Sequence, residues 1–273
     1  MDSWWQFAAG SLSTRVRRAM NRVAATRYVT PLREGGSLPA IVEASDLGLY
    51  VVKFRGAGQG ALALVAEWIG CELARGLGLP VPSLAIVEVD AALGRNEPDS
   101  EIRELLLRSV GDNLGIDYLP ASITFDPVVG PPPSAEDASR IVWFDAFLMN
   151  VDRTPKNPNL LCWHKSLWVI DHGASLYWQH GATPPEEAAV SPFSVIKQHV
   201  LLRWATALEE ADRTLKSKLT PELREAVLNE LPDAWLGADP AAARERYRKF
   251  IDLRLQQSHV FLEEALRARS ALV

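Results

Sequence analysis

The sequence predicts an α+β fold of two lobes, in which a β-rich lobe precedes a mostly helical lobe. Short apolar strands separated by glycine turns occupy residues 28–54. Helical periodicity dominates after residue 190. Between these regions, residues 126–134 contain a glycine and three consecutive prolines, a composition typical of a linker. We therefore expect a β-rich N-terminal lobe over residues 28–126 and a helical C-terminal lobe over residues 127–273, with a ligand site in the cleft between them.

The composition narrows the classes of function. The chain has 273 residues, of which 48% are hydrophobic, so it can form a sizeable core. Its net charge of -5 gives no sign of nucleic acid or an anionic membrane as the main partner. Two cysteines, Cys71 and Cys162, indicate no disulfide framework and fit a reducing cytoplasm. No apolar run approaches the ~20 residues that a membrane-spanning helix needs.

Residues 1–27 are expected to form a basic helical extension. One predicted helical face is apolar, and five arginines make the remainder basic. The apolar residues are Leu12, Val16, Ala19, Met20 and Val23. We favour a helix that packs on the body of the protein. The alternative is a partner-binding or membrane-surface helix, for which Trp4, Trp5 and Phe7 would be the anchors.

The first strands are predicted at residues 28–32, 40–44 and 49–54. A glycine turn separates the first two and contains Gly35, Gly36 and Ser37. Adjacent glycines let backbone N–H groups approach a phosphate. An ordinary hairpin turn is the alternative, and the pattern is not that of a Walker loop because no Gly-Lys-Ser/Thr follows.

Lys53 and Glu67 are the candidate charged pair of the N-terminal region. Lys53 interrupts an apolar strand, where it is either a solvated edge residue or a ligand for phosphate. The helix predicted at residues 61–77 places Glu67 on a face of small residues, which allows a close approach to other structure. Those small residues are Ala63, Gly70 and Ala74. Glu72 is the alternative partner for the lysine.

The chemistry-bearing stretch of the chain is residues 144–173. Asp152 is followed five residues later by Asn157, and Asp171 ends a later apolar run. Two short strands at residues 159–163 and 167–170 are predicted to form a β-hairpin. Because a hairpin brings its two ends together, Asp152, Asn157 and Asp171 would then lie close to one another. Their oxygen atoms are the ligands that hard cations prefer. The alternative is an Asn/Asp-rich loop with no ligand.

The rest of the C-terminal region is expected to be helical. A helix at residues 135–149 leads directly to Asp152. Further helices are predicted at residues 193–205, 207–218, 221–230 and 241–269. A break around residues 233–236 separates the last two, and Trp235 in it is expected to be buried.

These motifs, taken in order, resemble the protein-kinase-like superfamily. The order is Lys53, Glu67, Asp152-x-x-x-x-Asn157 and Asp171-x-Gly173. The segments AEWIGCELARGLGLPVP, FDAFLMNVDRTPKNPNLL and VIDHGASLYW are similar to HipA-like serine/threonine kinases of bacteria. The motif Asp152-Arg-x-x-x-Asn157 also resembles the corresponding loops of phosphatidylinositol kinases. The layout matches over residues 28–270 and looks like a short form without the extra N-terminal subdomain of the longer toxins.

The resemblance implies a role for each motif. Asp152 would be the catalytic base, while Asn157 and Asp171 would bind Mg²⁺. Lys53 would hold the phosphates of ATP and pair with Glu67. The loop that binds phosphate would consist of Gly35, Gly36 and Ser37.

The implied activity is ATP- and Mg²⁺-dependent transfer of a phosphoryl group to a protein Ser/Thr hydroxyl in the cytoplasm. A protein substrate and an antitoxin or operon partner are the implied partners. The alternatives are a lipid or small-molecule kinase and a non-catalytic nucleotide-binding pseudokinase module.

The sequence departs from the kinase pattern at three places. Protein kinases have His-Arg directly before the catalytic Asp, whereas Val151 precedes Asp152 here. They have Phe after the metal-binding Asp, whereas this chain has His172. The loop predicted to bind phosphate also lacks the full glycine pattern of kinases. Arg153 adds a cation beside the base, where it would neutralise the transferring phosphoryl group. The alternative for Arg153 is a salt bridge to Asp145 or Asp171.

Overall fold

The chain folds into a mixed α/β structure with strands first and helices dominating its C-terminal part. This computed structural model describes residues 21–32, 38–95 and 97–272. The α+β class predicted from the sequence is therefore confirmed. Gly35, Gly36, Ser37 and most of the predicted N-terminal extension lie outside the described residues.

A closed five-stranded barrel forms the first part of the structure. Its strands are β1 (Arg22–Pro31), β2 (Ala40–Ala44), β3 (Leu49–Lys53), β4 (Leu84–Val89) and β5 (Gly111–Asp117). They follow the order β1-β2-β3-β5-β4, and β1 closes the barrel by pairing in parallel with β4. All the other pairs are antiparallel.

The side-chain alternation of β3 determines where its lysine lies. Tyr50 and Val52 belong to the apolar cluster of the barrel, together with Val42 and Val87. Because successive side chains of a strand point to opposite faces, Lys53 cannot share that interior with Val52. Lys53 instead lines a large cavity outside the barrel.

The helix α1 (Gly60–Gly76) follows β3 but packs mainly on the C-terminal helices. The indole Nε1 of Trp68 donates to the carbonyl of Val227 at 3.1 Å, and its ring meets Trp235 edge-on at 6.5 Å. The prediction that Trp235 is buried is confirmed. These contacts fix α1 against the C-terminal helices, and Trp235 also donates to the carbonyl of Asp112 in β5 at 3.0 Å.

Most of the remaining helices enclose a second and larger core, whereas the first of them packs Leu105 and Leu106 against the barrel cluster. They are α2 (Ser100–Arg108), α3 (Ala135–Leu148), α4 (Pro185–Ala189), α5 (Leu208–Lys218), α6 (Pro221–Asn229), α7 (Pro240–Gln256) and α8 (Ser258–Ser270). Side-chain oxygens of Asp99, Ser134, Thr220 and Asp239 accept hydrogen bonds from backbone N–H groups at the starts of four of them. In the described part of the chain, none of the helices is long and apolar enough to cross a membrane.

A small sheet carries the chain between the two acidic motifs. It consists of β6 (Ile123–Thr124), β7 (Leu160–Trp163) and β8 (Ser166–Val169), and the last two form the predicted hairpin. His164 and Lys165 form its two-residue turn, and both have positive φ, as a type I′ turn requires. The hairpin prediction is confirmed, and β7 and β8 connect Asn157 to Asp171.

Three predicted helices differ from the structure. The helical extension to residue 27 is wrong for its last part, because residues 22–27 belong to β1 and Val23 packs inside the barrel. Residues 193–205 form two short 3-10 turns, and the helix predicted at 241–269 is interrupted between α7 and α8. For β1, the strand ladders to β2 and β4 outweigh the local helical periodicity.

The close approach of α1 to the segment after β8 yields a stability prediction. A Cβ added at Gly70 would lie 2.4 Å from Cβ of His172, so Gly70→Ala must displace packed atoms. We expect a net loss of about 1–2 kcal/mol in the free energy of unfolding, because overpacking outweighs the better helix propensity of alanine. Urea unfolding measures it.

The matched control is Gly58→Ala, since a Cβ there meets no atom within 4 Å. Equal stabilities for Gly70→Ala and Gly58→Ala would show that the helix is not held against His172.

Candidate active site

A cavity of about 870 Å³ lies between the barrel and the loops that follow α3 and β8. Its volume is in the range of small-molecule sites. Val51 and Lys53 line it from the barrel, and Asp152, Asn157 and Asp171 line it from the other side. The five-residue loop motif and the later aspartate, which are separated in sequence by the hairpin, thus face the strand lysine in space.

Lys53 bridges two carboxylates at the back of this cavity. Its Nζ donates to Oε2 of Glu67 at 2.6 Å and to Oδ1 of Asp171 at 2.6 Å. Glu67 is fully buried and Lys53 is 8% exposed. Burial by itself would lower the pKa of Lys53, but the charges of Asp171 and Glu67 outweigh it and raise that pKa above its ordinary value. The lysine is therefore a permanent cation.

Asp171 is the member of this cluster that a ligand can reach. Its side chain is 44% exposed, through the cavity, although protein surrounds it on most sides. Burial opposes its ionisation, yet the Lys53 ammonium overcomes this and lowers the pKa of Asp171 below its ordinary value. Asp171 also has φ of 55°, a left-handed conformation that is uncommon outside glycine. Strained backbone of this kind is often found at functional sites.

Gly173 leaves room around the charged cluster. A Cβ there would lie 3.4 Å from Nζ of Lys53, 3.4 Å from Oδ1 of Asp171 and 3.5 Å from Oε2 of Glu67. These are ordinary contact distances, but the added group would replace open space beside three charged atoms. A side chain at residue 173 would therefore begin in van der Waals contact with all three charged residues of the cluster.

The loop after α3 holds Asp152 and Asn157 side by side. Nδ2 of Asn157 donates to Oδ2 of Asp152 at 2.8 Å. The backbone N–H of Asp152 donates to Oδ1 of Asn150 at 3.1 Å. No described residue donates to Oδ1 of Asn157 or to Oδ1 of Asp152, so both oxygens are available to a ligand in the cavity.

The donor set of the site fits a hard divalent cation. Carboxylate oxygens of Asp152 and Asp171 and the amide oxygen of Asn157 line one cavity. Magnesium is commonly bound by one or two carboxylates, with water and substrate phosphates completing its octahedron. Within the described ranges, no group of three or more His, Cys, Asp and Glu side chains could hold a metal on its own.

A second cluster of buried charged residues, Asp145, Arg153 and His199, supports the loop that carries Asp152. Nε of Arg153 donates to Oδ2 of Asp145 at 2.5 Å, and its Nη1 donates to the carbonyls of Asn159 and Ile170. Because Ile170 precedes Asp171, the guanidinium fastens the Asp152 loop to the segment that carries Asp171. Arg153 is 1% exposed, so it does not face the cavity, and the prediction that it neutralises a phosphoryl group is wrong. The alternative salt bridge to Asp145 is what the structure shows.

His199 completes this second cluster. The N–H of Leu201 donates to Nδ1 of His199 at 3.0 Å, so the ring proton lies on Nε2, which donates to Oδ2 of Asp145 at 2.9 Å. Burial lowers the pKa of His199, more than the carboxylate raises it. Burial opposes ionisation of Asp145, but Arg153 and His199 outweigh it and lower the pKa of that carboxyl below its ordinary value.

His172, which follows Asp171, is a packing residue. It lies against Gly70 and meets the ring of Phe144 edge-on at 5.7 Å. Burial lowers the pKa of His172 to about 4, so the ring is neutral at pH 7. It is therefore a neutral, buried ring packed between α1 and α3.

The structure brings together five of the predicted site residues. They are Lys53, Glu67, Asp152, Asn157 and Asp171. Glu72 instead pairs with Arg75 at 3.3 Å. The predicted loop of Gly35, Gly36 and Ser37 is outside the described residues, although its neighbours Leu32 and Pro39 line the cavity.

Sequence reasoning missed several residues of the site. Asp145 and His199 were not singled out as a pair, since 54 residues separate them and only the fold makes them neighbours. Lys156 also lines the cavity and was overlooked, although its position between Asp152 and Asn157 in the motif was a visible signal.

Comparisons with known proteins identify the family of the chain and structures with a similar fold. The family model for HipA-like kinases matches residues 26–263, so the chain belongs to the HipA-like kinase family. A comparison with curated proteins gave no match.

Two solved structures share the fold. The chain is similar to the Helicobacter pylori proinflammatory kinase CtkA, with a TM-score of 0.56 and 12% identity over 93% of this chain and 99% of that one. It is also similar to the Golgi casein kinase with Mn and ADP bound, with a TM-score of 0.50 and 12% identity over 93% of this chain and 75% of that one. At such identities the likeness concerns the fold.

The histidine of the second buried cluster yields a pH prediction. The folded-state pKa of His199 is lowered, so its contribution to stability is fully present above the unfolded value of about 6.5 and is lost as the pH falls below it. A single histidine can account for up to about 2 kcal/mol between pH 7 and pH 5. We expect His199→Gln to show a weaker loss of unfolding free energy over this interval than the wild type.

Urea unfolding at several pH values measures the slope, and His259→Gln is the control because His259 is exposed on α8. An acid sensitivity in His199→Gln as steep as that of the wild type would contradict the assignment.

Proposed function

We propose that this protein is an ATP- and Mg²⁺-dependent kinase that phosphorylates Ser/Thr hydroxyl groups of proteins. One observation carries the proposal: the Lys53–Glu67–Asp171 cluster and the Asp152–Asn157 loop face each other across one cavity. A base, oxygen ligands for a metal and a cation for phosphates are the parts that phosphoryl transfer requires.

In this proposal the cavity is a nucleotide site between two lobes. The proposed lobes are residues 28–126, to which the structure adds residues 22–27 of β1, and residues 127–273. Lys53 binds the phosphates of the nucleotide. The segment from Ile116 to Leu119, which lines the same cavity, faces the adenine ring. Gly35, Gly36 and Ser37 stay as the proposed phosphate loop.

Asn157 and Asp171 are the proposed metal ligands. The free Oδ1 of Asn157 and the cavity-facing carboxylate of Asp171 supply hard oxygen donors. When bound, Mg²⁺ would neutralise charge on the nucleotide phosphates. The Golgi casein kinase neighbour was crystallised with Mn and ADP. For the present chain, the support for a divalent ion is its own donor set.

Asp152 is the proposed base for the acceptor hydroxyl. Asn157 donates to its Oδ2, which orients the carboxylate and leaves Oδ1 to accept the hydroxyl proton. Asp152 is half-buried at the cavity wall, so an acceptor can approach it from outside.

A protein is the favoured acceptor, and an antitoxin-type partner and a cytoplasmic location belong to the same proposal. The resemblance to lipid kinases lies in the Asp152-Arg153 motif. The side chain of Arg153 is buried against Asp145. This arginine supports the loop and does not reach an acceptor, so it does not favour a lipid.

Asp152→Asn should abolish phosphotransfer. Losing the base is expected to lower the rate by about 10²–10⁴-fold, with the unfolding temperature nearly unchanged because the amide can keep the bond to Asn157. The assay incubates the protein with labelled ATP, Mg²⁺ and a cell lysate and then separates protein from organic-soluble material.

Label in protein for the wild type alone supports the proposal. Label in the organic fraction would identify a lipid kinase, and equal transfer by the wild type and Asp152→Asn would refute the assignment of the base.

Asp171→Asn should remove the magnesium-dependent part of nucleotide binding. We expect ATP with Mg²⁺ to raise the melting temperature of the wild type more than ATP alone, because Asp171 supplies a charged metal ligand. The variant should respond equally with and without Mg²⁺. Glu209→Gln, on the exposed side of α5, is the matched control. A wild-type response indifferent to metal would favour a pseudokinase.

A further inference from the structure

The surface beside the Asp152 loop contains basic residues and no acidic ones. The chain as a whole has a net charge of -5, yet residues 153–170 and 188–208 contain neither Asp nor Glu. In the second of these segments, Lys197 and Arg203 are exposed, and neither makes an ion pair with any described residue. The positive field of this surface is therefore local, and the net charge of the chain does not reveal it.

The two cations are fastened to the Asp152 loop by the chain between them. The N–H of Val200 donates to the carbonyl of Arg153 at 3.0 Å. Lys197 precedes Val200 by three residues, and Arg203 follows it by three. Because three residues of chain span at most about 10 Å, the backbone of each cation lies within that distance of Val200. Val200 is itself bonded to the residue that directly follows Asp152.

Arg203 also has a fixed orientation. Its guanidinium lies over the ring of Trp204, 4.0 Å from the ring centroid, and that ring meets Phe125 edge-on at 6.1 Å. The N–H of Phe125 donates to the carbonyl of Leu160 in β7 at 2.9 Å. The next residue, Asp126, accepts hydrogen bonds from backbone N–H groups and makes no ion pair with a described residue. Arg203 is thus held against the sheet that follows the Asp152 loop, with its charge unpaired.

An acceptor chain has to cross this surface. Its hydroxyl must reach Asp152, and an extended chain advances about 3.3–3.6 Å per residue. Side chains about three positions from the hydroxyl therefore extend as far as Lys197 and Arg203. Carboxylates form charge-assisted hydrogen bonds with ammonium and guanidinium groups, and these bonds are stronger than those between neutral groups.

We propose that Lys197 and Arg203, the basic rim of the site, bind Asp and Glu side chains that flank the acceptor hydroxyl, so that the acceptor is an acidic segment of a protein. This inference rests on the proposed function, to which it adds the class of acceptor. Neither residue lines the cavity, so the rim determines specificity through acceptor binding and leaves the transfer step to Asp152.

The test uses labelled peptides that have one serine flanked by glutamates, by glutamines or by lysines. Fluorescence anisotropy without nucleotide gives the Kd of each peptide, and steady-state assays with ATP and Mg²⁺ give kcat and KM. The variants are Lys197→Gln, Arg203→Gln and the double variant. Lys218→Gln is the control, because Lys218 is exposed at the end of α5 and lies outside the rim. All three residues are exposed, so the variants should fold normally, which a melting curve checks.

The wild type is expected to bind the glutamate peptide most tightly and the lysine peptide most weakly. Each single variant should raise the Kd and the KM of the glutamate peptide by about threefold, and the double variant by about tenfold, with kcat nearly unchanged. Added salt should reduce the preference, because exposed charges are screened. Lys218→Gln should match the wild type. Reversing both charges, with Lys197→Glu and Arg203→Glu together, should make the lysine peptide the preferred one.

Three results would overturn the proposal. The first is equal affinity of the wild type for the glutamate and the glutamine peptides. The second is an unchanged affinity for the glutamate peptide in the double variant. The third is equally tight binding of a single-stranded RNA oligonucleotide of the same charge, since the rim would then bind polyanions in general.

The binding measurement also separates this inference from the proposed function. If the wild type transfers no label to any peptide or lysate protein, the proposed function fails. The anisotropy data, which need no transfer, then still decide whether the basic rim binds acidic segments.

Discussion

The buried ammonium of Lys53 is the interaction on which the rest of the structure depends. A charge removed from water is costly unless partners surround it, and here the partners come from α1 and from the segment after β8. The lysine therefore joins three elements that are up to 118 residues apart. Glycines make this possible, since Gly70 lets α1 touch His172 and Gly173 leaves space beside the charges. The two carboxylates in turn keep the lysine charged for a ligand.

The two buried charged clusters serve different purposes. The Asp145–Arg153–His199 cluster is closed to solvent, and its hydrogen bonds go to side chains and carbonyls of the protein. It holds the Asp152 loop and the Asp171 segment in one geometry. The Lys53 cluster is open on one side, because Asp171 faces the cavity. The proposed nucleotide site would use both features, because the closed cluster holds the two segments rigidly and the open cluster presents charged atoms to the cavity.

How much could be predicted from the sequence differs between elements. Strands β2, β3, β7 and β8 and helices α1 and α3 were placed to within a residue or two, because alternation and helical periodicity are local properties. The start of β1 was missed, since its strand conformation depends on pairing with β2 and with the distant β4. Arg153 was assigned to the phosphoryl group because a sequence does not show the direction in which a side chain points. Its burial against Asp145 is a result of the fold.

The sequence alone determined the class of fold, the family resemblance and the identity of five side chains of the site. Those properties follow from residue types and short spacings, which are present before the chain folds. Only the tertiary structure decided that Arg153 is a support buried against Asp145, and that Lys156 lines the cavity without pairing with any described residue. Each of these depends on which charged groups share a buried volume. Because a buried charge must find a partner and an exposed one need not, that distinction exists only in the folded protein.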